Sequence, residues 1–104
     1  MKYYFITVMK DIGYLDEDPR FPFIEHHRTW GFYTCFSEAD RVLHNNITDM
    51  HEGYFNYAVI EEYEEGISGY TGESWWFKFD YDLGCYTRID KPVAIGMLGS
   101  IAFG

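Results

Sequence analysis

Tyr3, Phe5, Thr7 and Met9 alternate with Tyr4, Ile6 and Val8, and both sets are largely apolar or aromatic. Side chains alternate faces along a strand, so this stretch predicts a strand that is central or covered on both sides. Arg28 to Phe36 predicts a second strand, with Gly31 marking a bulge or a close backbone approach. A change of period follows: Ala39, Val42, Leu43 and Ile47 recur at helical spacing. The predicted helix covers about 37–47, with the Ser37 hydroxyl as its N-cap and Asn45-Asn46 as its end. Tyr54 to Tyr63 predicts a third strand, running into the carboxylate cluster Glu61, Glu62, Glu64 and Glu65. Trp75 to Tyr81 and Cys85 to Ile89 complete the set around a hairpin connection, Asp82-Leu83-Gly84, whose glycine suits a positive φ.

Residues 11–27 and 66–74, rich in glycine, proline and charge, read as loops. The order strand, strand, helix, strand, strand, strand predicts an α+β fold, with a mostly antiparallel sheet of about five strands and one principal helix on one face. No repeat or linker interrupts the chain, so residues 1–104 are expected to form a single domain.

Composition narrows the partners. A formal net charge of -9 argues against direct nucleic-acid binding and against anionic membranes, and it permits a basic protein partner. Val93 to Phe103 is the longest uncharged apolar stretch and is too short to span a bilayer. The first ten residues lack a signal-peptide pattern, and the chain has two cysteines, Cys35 and Cys85. Together these predict a reduced, cytoplasmic setting, with both thiols buried and inert in aromatic strands.

Several residues point beyond general architecture. Arg28-Thr29-Trp30-Gly31-Phe32, then Phe36-Ser37-Glu38-Ala39, Tyr57-Ala58-Val59-Ile60-Glu61-Glu62, Trp75-Trp76-Phe77 and Ile89-Asp90-Lys91-Pro92 follow one another in a recurring pattern. That pattern resembles a family of small bacterial and phage α+β proteins, over most of residues 28–92. The family has no activity to carry over. The resemblance implies a phage or mobile-element setting, hence the host cytoplasm.

Candidate chemistry is sparse. His26-His27-Arg28 is the densest cationic site, and His26, Arg28 and Trp30 form a candidate ligand site for an anionic, nucleotide-like molecule. Neighbouring residues on a strand point to opposite faces, which weighs against one pocket for both histidines. His44 and His51 are seven apart but do not form a chelating motif, and Asp16-Glu17-Asp18 lacks the pattern of a calcium loop, so no metal or cofactor is expected. No nucleophile motif surrounds Ser100, and no phosphate-loop motif follows the glycines near 66–72, so no catalytic residues are assigned.

Alternation places Trp75, Phe77, Phe79 and Tyr81 on one face and Trp76 with Lys78 on the other. Trp76 then becomes a candidate partner anchor. Glu61, Glu62, Glu64 and Glu65 are candidate partner-binding residues that imitate a run of phosphates. The expectation is a non-enzymatic protein that inhibits or modulates a basic host factor, such as a defence component. The alternatives are a protein that sequesters a nucleotide signal between protomers, and a small hydrolase. Tyr3, Tyr54, Tyr57, Tyr63, Trp76 and Tyr86 exceed what one small core needs, which suggests a homodimer over the open face or cover by the tail Val93 to Phe103.

Overall fold

The computed structural model describes residues 1–14, 22–25, 28–45, 55–65 and 69–90. The elements are β1 (Lys2–Met9), β2 (Asp11–Tyr14), β3 (Pro22–Glu25), β4 (Arg28–Tyr33), α1 (Phe36–His44), β5 (Tyr57–Glu64), β6 (Tyr70–Asp80) and β7 (Cys85–Ile89). Five strands form one antiparallel sheet in the order β4-β1-β5-β6-β7, with α1 packed against it. This is the expected α+β fold. β1 lies inside the sheet, as its doubly apolar pattern requires.

Register divides the side chains between two faces. Ile6↔Ile60 and Val8↔Ala58 across β1 and β5, and Ala58↔Phe77 across β5 and β6, point the same way. They join Ala39, Val42 and Leu43 of α1, with Phe79 and Tyr86, in the main core. His44 Nδ1 donates to the Tyr86 carbonyl at 2.7 Å, tying the end of the helix to β7. The Tyr86 hydroxyl donates to the Phe55 carbonyl at 2.7 Å, and its burial pushes its pKa up.

The opposite face has its own cluster of Met9, Val59 and Trp76, with Tyr57 and Ile89 packed against it. Trp76 is 2% exposed and Tyr86 is fully buried, so neither is among the rings left over for a second copy to cover. The tail Val93 to Phe103, the other expected cover, lies outside the described residues, as do Tyr54 and Ile47.

Several local expectations are corrected. The predicted loop 11–27 contains two short strands, β2 and β3, paired from Asp11↔Glu25 to Tyr14↔Pro22. Each has four residues, with Gly13 inside one and Pro22 opening the other, so composition hid the pairing. The strand predicted to reach Phe36 stops at Tyr33, and the extra residue of its bulge is Trp30: Ile6 pairs with Gly31 and Thr7 with Thr29.

The helix begins at Phe36, and its N-cap is Cys35 in extended backbone (φ -133, ψ 126), with no side-chain cap bond. Ser37 is therefore inside the first turn and does not cap it. Asn45 does end the helix, but at φ -85, outside the left-handed region; its backbone N–H (3.2 Å) and side-chain amide (3.0 Å) both reach the Arg41 carbonyl. β6 starts at Tyr70, inside the predicted loop 66–74. Gly72 at φ +91 lies within this strand, where the register against β5 shifts between Glu61 and Tyr63. Tyr81, assigned by alternation to the end of the strand, belongs to the turn that follows.

Candidate functional site

The carboxylate cluster divides sharply on folding. Glu62 shares the helix-side face with Ala58 and Ile60, and it is 8% exposed. Strand β1 brings Tyr4 opposite Glu62, and the irregular start of β6 brings in Thr71. The Tyr4 hydroxyl donates to Oε2 at 3.1 Å, the Thr71 hydroxyl donates to Oε1 at 3.0 Å, and Lys2 Nζ lies 3.4 Å from Oε1. Burial pushes the Glu62 carboxyl up, but the bonds from Thr71 and Tyr4 and the Lys2 ammonium outweigh it, so its pKa falls below the ordinary value. Glu62 is thus a structural acceptor held within the sheet, a correction to its expected place in an exposed run of carboxylates.

Glu61 is also buried rather than exposed, at 1%, opposite Phe5 and Ser74 on the other face. Glu64 and Glu65 are exposed, as a partner-binding role requires. The Glu65 N–H donates to the Met1 carbonyl at 3.3 Å, which holds the strand end against the start of the chain. Trp76 packs inside the second cluster, with its indole N–H donating to Ser74 Oγ at 3.1 Å. It is not available as the exposed anchor expected from alternation. The face without the helix is closed by the packing of Met9, Val59 and Trp76 with Tyr57 and Ile89.

The exposed rings lie elsewhere. Phe32, on edge strand β4, is 56% exposed, 5.3 Å from Phe5 and 5.9 Å from Tyr3 between ring centroids. Phe5 in turn meets Tyr63 edge-on at 5.1 Å. Register places this aromatic strip at the same end of the sheet as Lys2↔Glu64. At that end, on the helix side, Tyr4, Phe36 and Trp75 form a second ring group, with Phe36 and Trp75 4.4 Å apart.

Of the candidate ligand residues, Arg28 and Trp30 are brought together: the guanidinium carbon lies 5.2 Å from the indole centroid. Arg28 is exposed, while Trp30 is half-buried against the main core. His26 lies outside the described residues.

The cysteines are also corrected. Cys35 is exposed and Cys85 half-buried, and both are free. Cys35 Sγ lies 3.0 Å from Ser37 Oγ. That contact, followed by the Glu38 and Ser37 backbone N–H groups, lowers the thiol pKa. Sequence reasoning missed this because it placed Cys35 within the strand. Among the described residues no group of three or more His, Cys, Asp or Glu converges as metal ligands, and no helix is long and apolar enough to cross a membrane.

At the far end of β6, Asp80 organises a turn that exposes Tyr81 and Leu83. The sequence signal was present: an Asp two and three residues ahead of the N–H groups it can bind, closed by Gly84. Comparison with family models, curated proteins and solved structures finds no match to this chain.

Proposed function

We propose that this chain is a non-enzymatic binding protein that engages a basic partner through exposed carboxylates and rings. The observation that carries this reading is the formal charge of -9, with Glu64, Glu65, Glu73, Asp82 and Asp90 all exposed. Such a field accelerates encounter with a positively charged surface and contributes less to the lifetime of the complex. The resemblance to phage proteins supports a host factor as the target, with inhibition of a defence component as the outcome. Glu61, Glu62 and Trp76 leave the contact set, and Phe32 and Tyr3 enter it.

Capture from host lysate followed by kinetics with the purified partner tests the reading. The on-rate should fall with salt and fall again when Glu64, Glu65 and Glu73 are replaced by Gln. An on-rate indifferent to both changes would sink the electrostatic mechanism. A second reading, capture of a nucleotide-like molecule, is favoured by the Arg28–Trp30 pair alone. Equilibrium dialysis against mixed nucleotides, with Arg28→Ala as the comparison, tests it; equal retention by both proteins removes it.

A further inference from the structure

The turn between β6 and β7 displays apolar side chains where its backbone requires none. Asp80 Oδ1 accepts the N–H groups of Asp82 at 2.9 Å and Leu83 at 3.1 Å, and the Asp80 carbonyl accepts the Gly84 N–H at 2.8 Å. Gly84 closes the turn at φ +70. Tyr81 is steadied by an edge-on contact with Phe79 at 5.3 Å and by donating its hydroxyl to Asn56 Oδ1. Asp80 and Gly84 thus satisfy the turn, and small or polar residues would serve between them. Instead Tyr81 is 67% exposed and Leu83 69% exposed, with exposed Asp82 between them. Asp82 enters no ion pair among the described residues.

We propose that the Asp80–Gly84 turn anchors this protein on its partner, with Leu83 and Tyr81 entering an apolar pocket whose rim carries arginine or lysine to meet Asp82. The proposal rests on the binding reading above and adds to it a location and a partner surface. A convex apolar tip needs a concave apolar receptor to exclude water. A carboxylate carried to the edge of that receptor loses hydration, and a cation there restores what is lost. The hydrogen bonds of Asp80 hold the turn before binding, so little ordering entropy remains to be lost. A second copy of this chain fits poorly, because it would bring two acidic tips and two chains of charge -9 together.

Site-specific photo-crosslinking in the producing cell tests this, with benzoylphenylalanine in place of Leu83 and, separately, in place of Phe32 at the other end of the sheet. Position 83 should trap a protein other than this chain, at a peptide bearing Arg or Lys. With that protein purified, Leu83→Ala should weaken binding by roughly tenfold or more, Leu83→Lys should abolish it, and Asp82→Asn should slow association. All three variants should melt as the unaltered protein does. Trapping from position 32 alone preserves the binding reading and overturns the role of the turn. Trapping from neither position overturns both, and a covalent dimer from position 83 makes the second copy the occupant and overturns the proposal.

Discussion

Where β1 begins, Glu62 is enclosed by Tyr4, Thr71 and Lys2, and its charge is consumed in holding three strands together. Where β6 ends, Asp80 is spent on the backbone of its own turn, which leaves Asp82 and the neighbouring Leu83 facing solvent. The end with more glutamates in sequence therefore offers fewer of them to a partner than their number suggests. The end with a short turn presents a fixed apolar and acidic tip. Carboxylate count is a poor guide to an acidic surface when both faces of the sheet are covered, so that the neighbours Glu61 and Glu62, on opposite faces, are both buried.

A common core holds the two ends in place. Val42 is 4% exposed between α1 and the sheet, so Val42→Asp should abolish cooperative unfolding by burying an unpaired charge, a cost of several kcal/mol. A soluble variant with a sharp thermal transition near that of the unaltered protein would contradict the packing of the helix.

The next largest effect separates the glutamates. Glu62→Ala removes the acceptor of the Tyr4 and Thr71 hydroxyls and should cost about 1–3 kcal/mol. Glu64→Ala, at an exposed position, should stay within ~0.5 kcal/mol. Denaturant melts measure both, and equal losses would erase the distinction between the ends. The Glu62 pKa is lower in the folded chain than in the unfolded one. Its contribution is therefore fully present above the ordinary carboxylate pKa of ~4.3 and is lost as pH falls through the folded value. Glu62→Gln should flatten that part of the acid-unfolding curve.

The turn should be less costly to disturb than the Glu62 network. Asp80→Ala removes the acceptor of two backbone N–H groups at an exposed site and should cost about 1 kcal/mol. Gly84→Ala should cost a similar ~1 kcal/mol for backbone reasons alone, since an added Cβ meets nothing within 4 Å while φ is +70. If Asp80→Ala left amide exchange at Asp82 and Leu83 unchanged, the turn would not be organised as described.

Much of this arrangement was legible in the residues, unevenly. β1 could be placed inside the sheet because both of its faces are apolar, and the helix because Ala39, Val42 and Leu43 keep a helical period. β2 and β3 were not legible, because four-residue strands punctuated by Gly13 and Pro22 carry less pattern than noise. The start of β6 was hidden by Gly72, which the strand absorbs at an irregular register. The burial of Glu62 was available in principle: it has the same parity as Ala58 and Ile60, but four carboxylates in five residues looked like a solvated end. Parity also put Trp76 opposite the helix, yet it could not show that this face would bury Met9, Val59 and Trp76.

The smallest effect expected is chemical rather than energetic, and it compares the same two ends through their thiols. Cys35 lies at the start of the helix, next to Phe36, whose ring packs on Tyr4; Cys85 opens β7, opposite Asp80. Cys35 is exposed, and its thiol pKa is lowered chiefly by the Ser37 hydroxyl, with the Glu38 and Ser37 backbone N–H groups adding to it. The thiolate is the reactive form, so iodoacetamide should modify Cys35 faster than half-buried Cys85 at neutral pH. Ser37→Ala should slow Cys35 several-fold, raise the pH at which its rate reaches half-maximum, and leave Cys85 unchanged. The fold should tolerate this substitution, because Ser37 is exposed and makes no cap bond. Mass spectrometry of the alkylated peptides over time reads both rates in one sample. Equal rates at the two cysteines, or no change at Cys35 in the variant, would mean that the helix start does not hold the thiol against its hydroxyl and amide donors in solution.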